Sequence, residues 1–371
     1  MKITEVLITP QEIAWLPWAA QYFFYIGGAY AASILFLIAL IWREKTSHLL
    51  RTSLVLTMAI SAIVGALALS ADLHQPARAW HFYAHFTPWS WMSLGSIFLP
   101  LFCALSVITA WLYLRDDLVA IRNSPNQALK FVGHLSFGSW KTTHRQLLFV
   151  ALVTMLSGLS IALYTGAEVA VIKARPLWNQ SASPLLWFVT AFLSAIGFSL
   201  ILCLLQAGKR LRTTFNPCDM LLITRTLKVT GVLAIILLSI WASNDPMFHV
   251  YSQPTWFYYL MALYLLFVLC ALLPTSTTLL PKSLSGTILT AAMTLGAAWM
   301  TRWVTLMETQ RIAKYDAGLY PYELPVGTAG YLGILGMLGL WCTFALITSE
   351  LTRVQHSHQN PSSLANEQFE R

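Results

Sequence analysis

Charge is what this 371-residue sequence has least of. Only 10% of its residues are Asp, Glu, Lys or Arg, against 57% hydrophobic, where soluble domains carry about 25% charged residues. A mean hydropathy of +0.63 agrees. Together these exclude a soluble globular domain and leave a polytopic membrane protein. Acidic residues are scarcer than basic ones, 15 against 23, for a formal charge of +8. The excess does not imply nucleic acid, because the basic residues sit in short loops between apolar runs, as topology signals do.

Cysteine is also sparse. Of the five (Cys103, Cys203, Cys218, Cys270, Cys342), four lie inside apolar runs and no C-x-x-C occurs. Neither a disulfide framework nor a thiolate metal or iron–sulfur site has support. Histidine is missing from the middle of every long apolar run, so the facing pair that a haem b requires at depth is not found, and no haem is expected in this chain. His81 and His85 have i, i+4 spacing but no apparent third ligand, so an interfacial pair is expected and no metal site. The opening MKITEVLITPQEIAWLPW lacks the basic start and short apolar stretch of a cleavable signal. The first helix is expected to act as its own uncleaved insertion signal.

What is present is a series of long apolar runs. A spanning helix needs about 20 mostly apolar residues, which places helices near 19–42, 52–71, 92–114, 146–166, 184–207, 229–244, 257–273, 285–307 and 329–349. The expected fold is all-α, a single transmembrane bundle over 1–354. The polar tail 355–371, containing HSHQNPSSLANEQFER, is expected to be disordered. One set of alternate loops and ends carries 16 Lys and Arg. The other carries 6 (Lys2, Arg78, Lys173, Arg175, Arg311, Lys314), and Arg302 within the eighth helix completes the 23. That bias puts the N-terminus in the periplasm and the C-terminus in the cytoplasm. Glycines at 27, 28, 65, 333, 336 and 339 suit close helix packing in lipid. Beside Gly27 and Gly28, the polar Gln21 and Tyr22 lie just outward and leave room for a flat ligand.

The chain is organised around 70–93, SADLHQPARAWHFYAHFTPWSWMS, which the topology turns outward. An acid at the end of a spanning helix is expensive unless paired or facing a cavity, and Asp72 is followed by Arg78. Two readings of this pair stand, a structural cap on the bundle and the rim of a site. Further polar groups gather at the same face. Tyr164 and Glu168 end the fourth helix, Arg175 follows, Arg302 lies roughly 8 Å inside the eighth helix at 1.5 Å per residue, and Glu308 follows it. Arg302 either lines a pocket or snorkels to the interface. A phenol, a carboxylate and an arginine against apolar and aromatic walls suit a quinone headgroup, which needs hydrogen bonds to its oxygens and a proton route to water. A secondary transporter is the rival class. It is disfavoured because charge near the midplane is lacking and the polar groups gather at one face.

Three runs resemble one family. DLHQPARAWHFYAHFTPWSWMSLGS at 72–96 is similar to the Asp-Leu-x-x-Pro-x-Arg-x-Trp and Ser-Trp-Met-Ser signature of the NrfD/PsrC family of membrane quinol dehydrogenase subunits. YTGAEVAVIKARPLWNQSASPLLWF at 164–188 resembles its Tyr-Thr-Gly signature, and YFFYIGG at 22–28 its first-helix pattern. Residues 5–24 and 302–341 resemble the tetrathionate reductase branch of that family. The resemblance implies an inner-membrane subunit oxidising menaquinol near the periplasmic side. A four-cluster iron–sulfur subunit and a molybdopterin catalytic subunit would sit beyond it, reducing tetrathionate to thiosulfate, or another sulfur compound such as polysulfide or thiosulfate. By the same resemblance Tyr164 binds quinone, and Asp72 and Arg78 carry the loop motif. Tyr164, Asp72 and Glu168 are the expected proton-handling residues, and Gln21, Tyr22, Tyr164, Arg78 and Arg302 the expected quinol-binding ones. The Asn and His of polysulfide reductase subunits are absent from the first helix, where Gln21 or Tyr22 stands in that wall, and His74 replaces the glycine usual in the loop motif.

Overall fold

The structure is a computed structural model that describes residues 13–122, 127–138, 140–207, 215–244, 250–252, 254–272, 284–312 and 320–358. Among these residues nine helices are long and apolar enough to cross a bilayer. They are α1 (Pro17–Ile41), α2 (His48–Asp72), α3 (Trp91–Ile121), α4 (His144–Ala170), α5 (Ala182–Ala207), α6 (Pro217–Ser243), α7 (Pro254–Leu272), α8 (Leu284–Arg302, continued by a π-helical turn Trp303–Glu308) and α9 (Tyr331–His358). No strand occurs among the described residues.

Each expected run corresponds to one helix, and the differences lie at the ends. Helix α6 starts twelve residues before the expected 229. Arg225 and Lys228, read as loop charges, lie at exposed positions of its first turns, where long stems let the charges reach water. The start is fixed by Pro217 in the first turn and by a capping box, Asn216 with Asp219, which satisfies otherwise orphaned backbone amides. Asp219 also reaches across the bundle, its Oδ1 accepting from the Ser47 amide at 2.9 Å. Helix α3 runs past its expected end at 114, because Arg115 is not lost to water. Its guanidinium is fully buried, lies 3.7 Å over the Trp140 ring, and donates to the carbonyls of Ser136 and Gly138. Helix α9 continues to His358, into the stretch read as tail; the rest of that tail, 359–371, lies outside the described residues.

Packing makes α1 the central element. It is buried on nearly all sides, against α2, α4 and α5, with further contacts to α8 and α9. A helix apolar all round belongs in the middle of a bundle. Close approach depends on glycine at the helix crossings: a Cβ at Gly65 would lie 3.1 Å from the Ile26 backbone nitrogen, and one at Gly197 2.6 Å from Leu295. Helices α3 and α4 pair beside α1 and α2, while α5 bridges to α6 and α8. The start of α1, the end of α2, the start of α3 and the end of α4 therefore converge. The connector after Asp72 lies over them as a 3-10 turn (Pro76–Arg78) and one helical turn (His81–Ala84).

Candidate functional site

Four helices contribute to one polar group at this end of the bundle. Tyr164 and Glu168 are one turn apart on α4, and their polar ends face Tyr22 of α1; Glu168 in turn faces Asp72, the last residue of α2. Asp72 lies against the Leu16 amide and near His74. At 1.5 Å per residue, Tyr164 lies about 9 Å inside the end of α4, Glu168 about 3 Å, and Asp72 at the rim. The phenol is thus the deepest group and the two carboxyls step outward from it.

The fourth helix to contribute is α3, through an absence. A Cβ built at Gly95 would fall 2.2 Å from Cζ of Tyr164 and 2.6 Å from its hydroxyl. The ring occupies the space a side chain at 95 would need, so Gly95 sets the phenol's position. Sequence reasoning passed over it, although it lies in the run SWMSLGS.

Many of these polar atoms have no partner. Gln21 is 1% exposed, yet neither its Oε1 nor its Nε2 is hydrogen-bonded; the same holds for Asp72 Oδ1 and Glu168 Oε2. Buried polar groups are nearly always paired in folded proteins, so such a concentration needs an explanation. The aromatic pair Tyr22 and Phe23, with Trp187 beyond, flanks these atoms.

Other expected site residues lie elsewhere. Arg78 is exposed on the connector after α2, and among the described residues it forms no ion pair with Asp72. Arg175 ties its loop to the end of α8, donating to the Ile312 carbonyl at 2.6 Å. Glu308 pairs with Arg311 at 2.8 Å. Arg302 does not snorkel: it is 1% exposed and turned inward, donating to Thr190 Oγ1 and, at 2.7 Å, to the Trp187 carbonyl. It faces Tyr30, two turns deeper on α1 than Tyr22. The expectation that charge is lacking near the midplane is corrected by this residue. The sequence could not show it, because depth along a helix does not say which way a long side chain turns.

Metal chemistry has no grouped ligands among the described residues, where no cluster of three or more His, Cys, Asp or Glu occurs. His81 and His85 meet edge to face, ring centroids 5.8 Å apart, on the connector after α2.

Comparison with known proteins agrees with the architecture. The chain is 36% identical over 367 residues to a tetrathionate reductase subunit of Salmonella typhimurium, an alignment covering 95% of this chain and 98% of that protein. It is 20% identical over 202 residues to a selenate reductase subunit of Mesobacillus selenatarsenatis, covering 51% and 47% respectively. Residues 5–313 match the family described as polysulphide reductase, NrfD. With that match spanning α1 to the end of α8, the chain belongs to the NrfD family of membrane reductase subunits.

Proposed function

We propose that this chain is the quinol-oxidising subunit of a respiratory reductase in the bacterial inner membrane, with its site at the periplasmic ends of α1–α4. The observation that carries the reading is the cluster of Tyr22, Tyr164 and Glu168 leading outward to Asp72, with buried, unpartnered polar atoms on Gln21, Asp72 and Glu168 at the same end of the bundle. Menaquinol would supply two electrons and two protons on oxidation. Tyr164 and Gln21 hold the ring oxygens by hydrogen bonds, and Tyr22 closes the wall of α1. Glu168, one turn outward of Tyr164, takes protons from the ring hydroxyls and passes them to Asp72 at the rim. General acid–base groups work when they sit within hydrogen-bond reach of the proton they move. Electrons leave through a four-cluster iron–sulfur subunit on the outer face to a molybdopterin subunit. The similarity to the Salmonella tetrathionate reductase protein makes tetrathionate the preferred terminal acceptor, with other sulfur compounds as the alternative. With protons and electrons leaving on one side, turnover itself generates no membrane potential.

Removing one hydroxyl tests the site. Tyr164→Phe is expected to lower oxidation of a reduced naphthoquinone by about tenfold, the size of one lost hydrogen bond to a reacting group, with the complex still assembled. Full activity in an assembled Tyr164→Phe complex would refute the assignment.

Orientation is the second part of the proposal. The Lys and Arg bias places the connector 73–90 and the loop after α4 outside. Single cysteines at Trp89, which is 85% exposed, and at Lys173 should react with an impermeant maleimide in intact spheroplasts. Labelling only after the membrane is breached would invert the topology and move the site to the cytoplasm.

A further inference from the structure

A fixed charge divides the interior of this bundle. The neighbours of Arg302 set its depth: Thr190 lies eight residues inside α5, and a Cβ at Gly27, ten residues inside α1, would be 3.2 Å from its Nη2. At 1.5 Å per residue this is roughly 12–15 Å below those helix ends, well inside a hydrocarbon core about 30 Å thick. A guanidinium stays protonated in proteins. Among the described residues no carboxylate lies within ion-pair distance of it, and its Nε has no partner. Its surroundings are the Thr190 and Tyr30 hydroxyls, the Trp187 carbonyl and the Trp187 ring, 5.8 Å from the guanidinium carbon. Ionisable residues kept at this depth mark pathways.

Polar groups continue on both sides of it. On one side lie Tyr164, Glu168 and Asp72. On the other, buried polar groups recur along α5: Thr190 against Arg302, Ser194 beside Gly28 of α1, then Ser199 with Thr57 of α2 at 3.0 Å, and the Cys203 thiol with Ser53 of α2 at 3.1 Å, all no more than 1% exposed. Below them is Asp219, fully buried at the opposite end of the bundle. Hydroxyls both donate and accept, so such a series can relay protons. A site that handles protons at one face, above polar steps leading to the other, requires something that keeps the two apart.

We propose that Arg302 is an electrostatic barrier, which holds protons and cations on the side of the Tyr164 group and prevents leak through the bundle. An arginine in a polar passage does this elsewhere by repelling positive charge. The inference rests on the reading of the Tyr164 group as a proton-handling site, while the barrier itself acts in the resting protein without quinol.

The test uses the full-length chain reconstituted in vesicles with a trapped pH dye, under an inside-negative potassium diffusion potential and with no quinol. Wild type should be as proton-tight as protein-free vesicles, while Arg302→Gln should raise proton influx at least about tenfold. Influx in Arg302→Gln equal to wild type would overturn the proposal. If Arg302→Gln does not insert, Thr190→Asp carries the test, since it sets a carboxylate against the guanidinium and cancels its charge. Faster influx in that variant supports the barrier, and unchanged influx refutes it. Neither result bears on whether the Tyr164 group binds quinol.

Discussion

Glu168→Gln is expected to slow quinol oxidation by about two orders of magnitude, the usual contribution of a positioned general base, while leaving membrane insertion and subunit assembly intact. The substitution keeps the volume and hydrogen-bonding capacity of the side chain and removes only its ability to accept and release a proton. Glu168 is the middle step of the outward series, facing both Tyr164 and Asp72. Without it, the ring protons must reach Asp72 from a phenol about 9 Å inside the helix end. The loss should therefore appear in kcat and not in KM, because Tyr164 and Gln21 still hold the ring. Asp72→Asn should cost less, since water reaches the rim and can replace its function. Steady-state oxidation of a reduced naphthoquinone by the assembled complex reads both. A Glu168→Gln complex at wild-type rate would remove this carboxyl from the proton route.

The fold was largely legible, and the reason is physical. In a bilayer every backbone polar group must be satisfied within the segment, so length and apolarity are enough to locate helices, and all nine runs correspond to helices. The ends were less legible where a charge is buried by partners distant in sequence, as with Arg115 beneath Trp140, or where a cap overrides polarity, as at Asn216.

The site divides in the same way. Tyr164, Glu168 and Asp72 stand at helix ends, where sequence position already fixes depth, and the structure brings them together. Arg175, Arg302 and Glu308 share their approximate level but not their direction: Arg175 and Arg302 face partners that no spacing pattern reveals, Ile312 and Thr190, while Glu308 is taken up by its i,i+3 neighbour Arg311. Gly95 was missed for another reason. A glycine's role here is the volume it leaves to a side chain on a neighbouring helix, and only the identity of that side chain distinguishes it from ordinary packing glycines such as Gly65.

That vacancy makes Gly95→Ala the second large expectation. The added methyl would overlap Cζ, Cε2 and Oη of Tyr164, at 2.2, 2.4 and 2.6 Å, distances at which one side must move. The α3 backbone is held over 31 residues, whereas a tyrosine ring can swing about its first two torsions, so the phenol is the part that yields. An angstrom of misplacement in a reacting group costs on the order of 100-fold, and quinol oxidation should fall by about that factor. A merely structural role would lower stability without a link to Tyr164, and a double-mutant cycle separates the two. If Gly95 acts by placing the phenol, adding Gly95→Ala to Tyr164→Phe should cost little further activity, because the hydroxyl it misplaces is already gone. Additive losses in the double variant, with assembly unchanged, would show that Gly95 serves the packing of α3 against α4 and not the position of Tyr164.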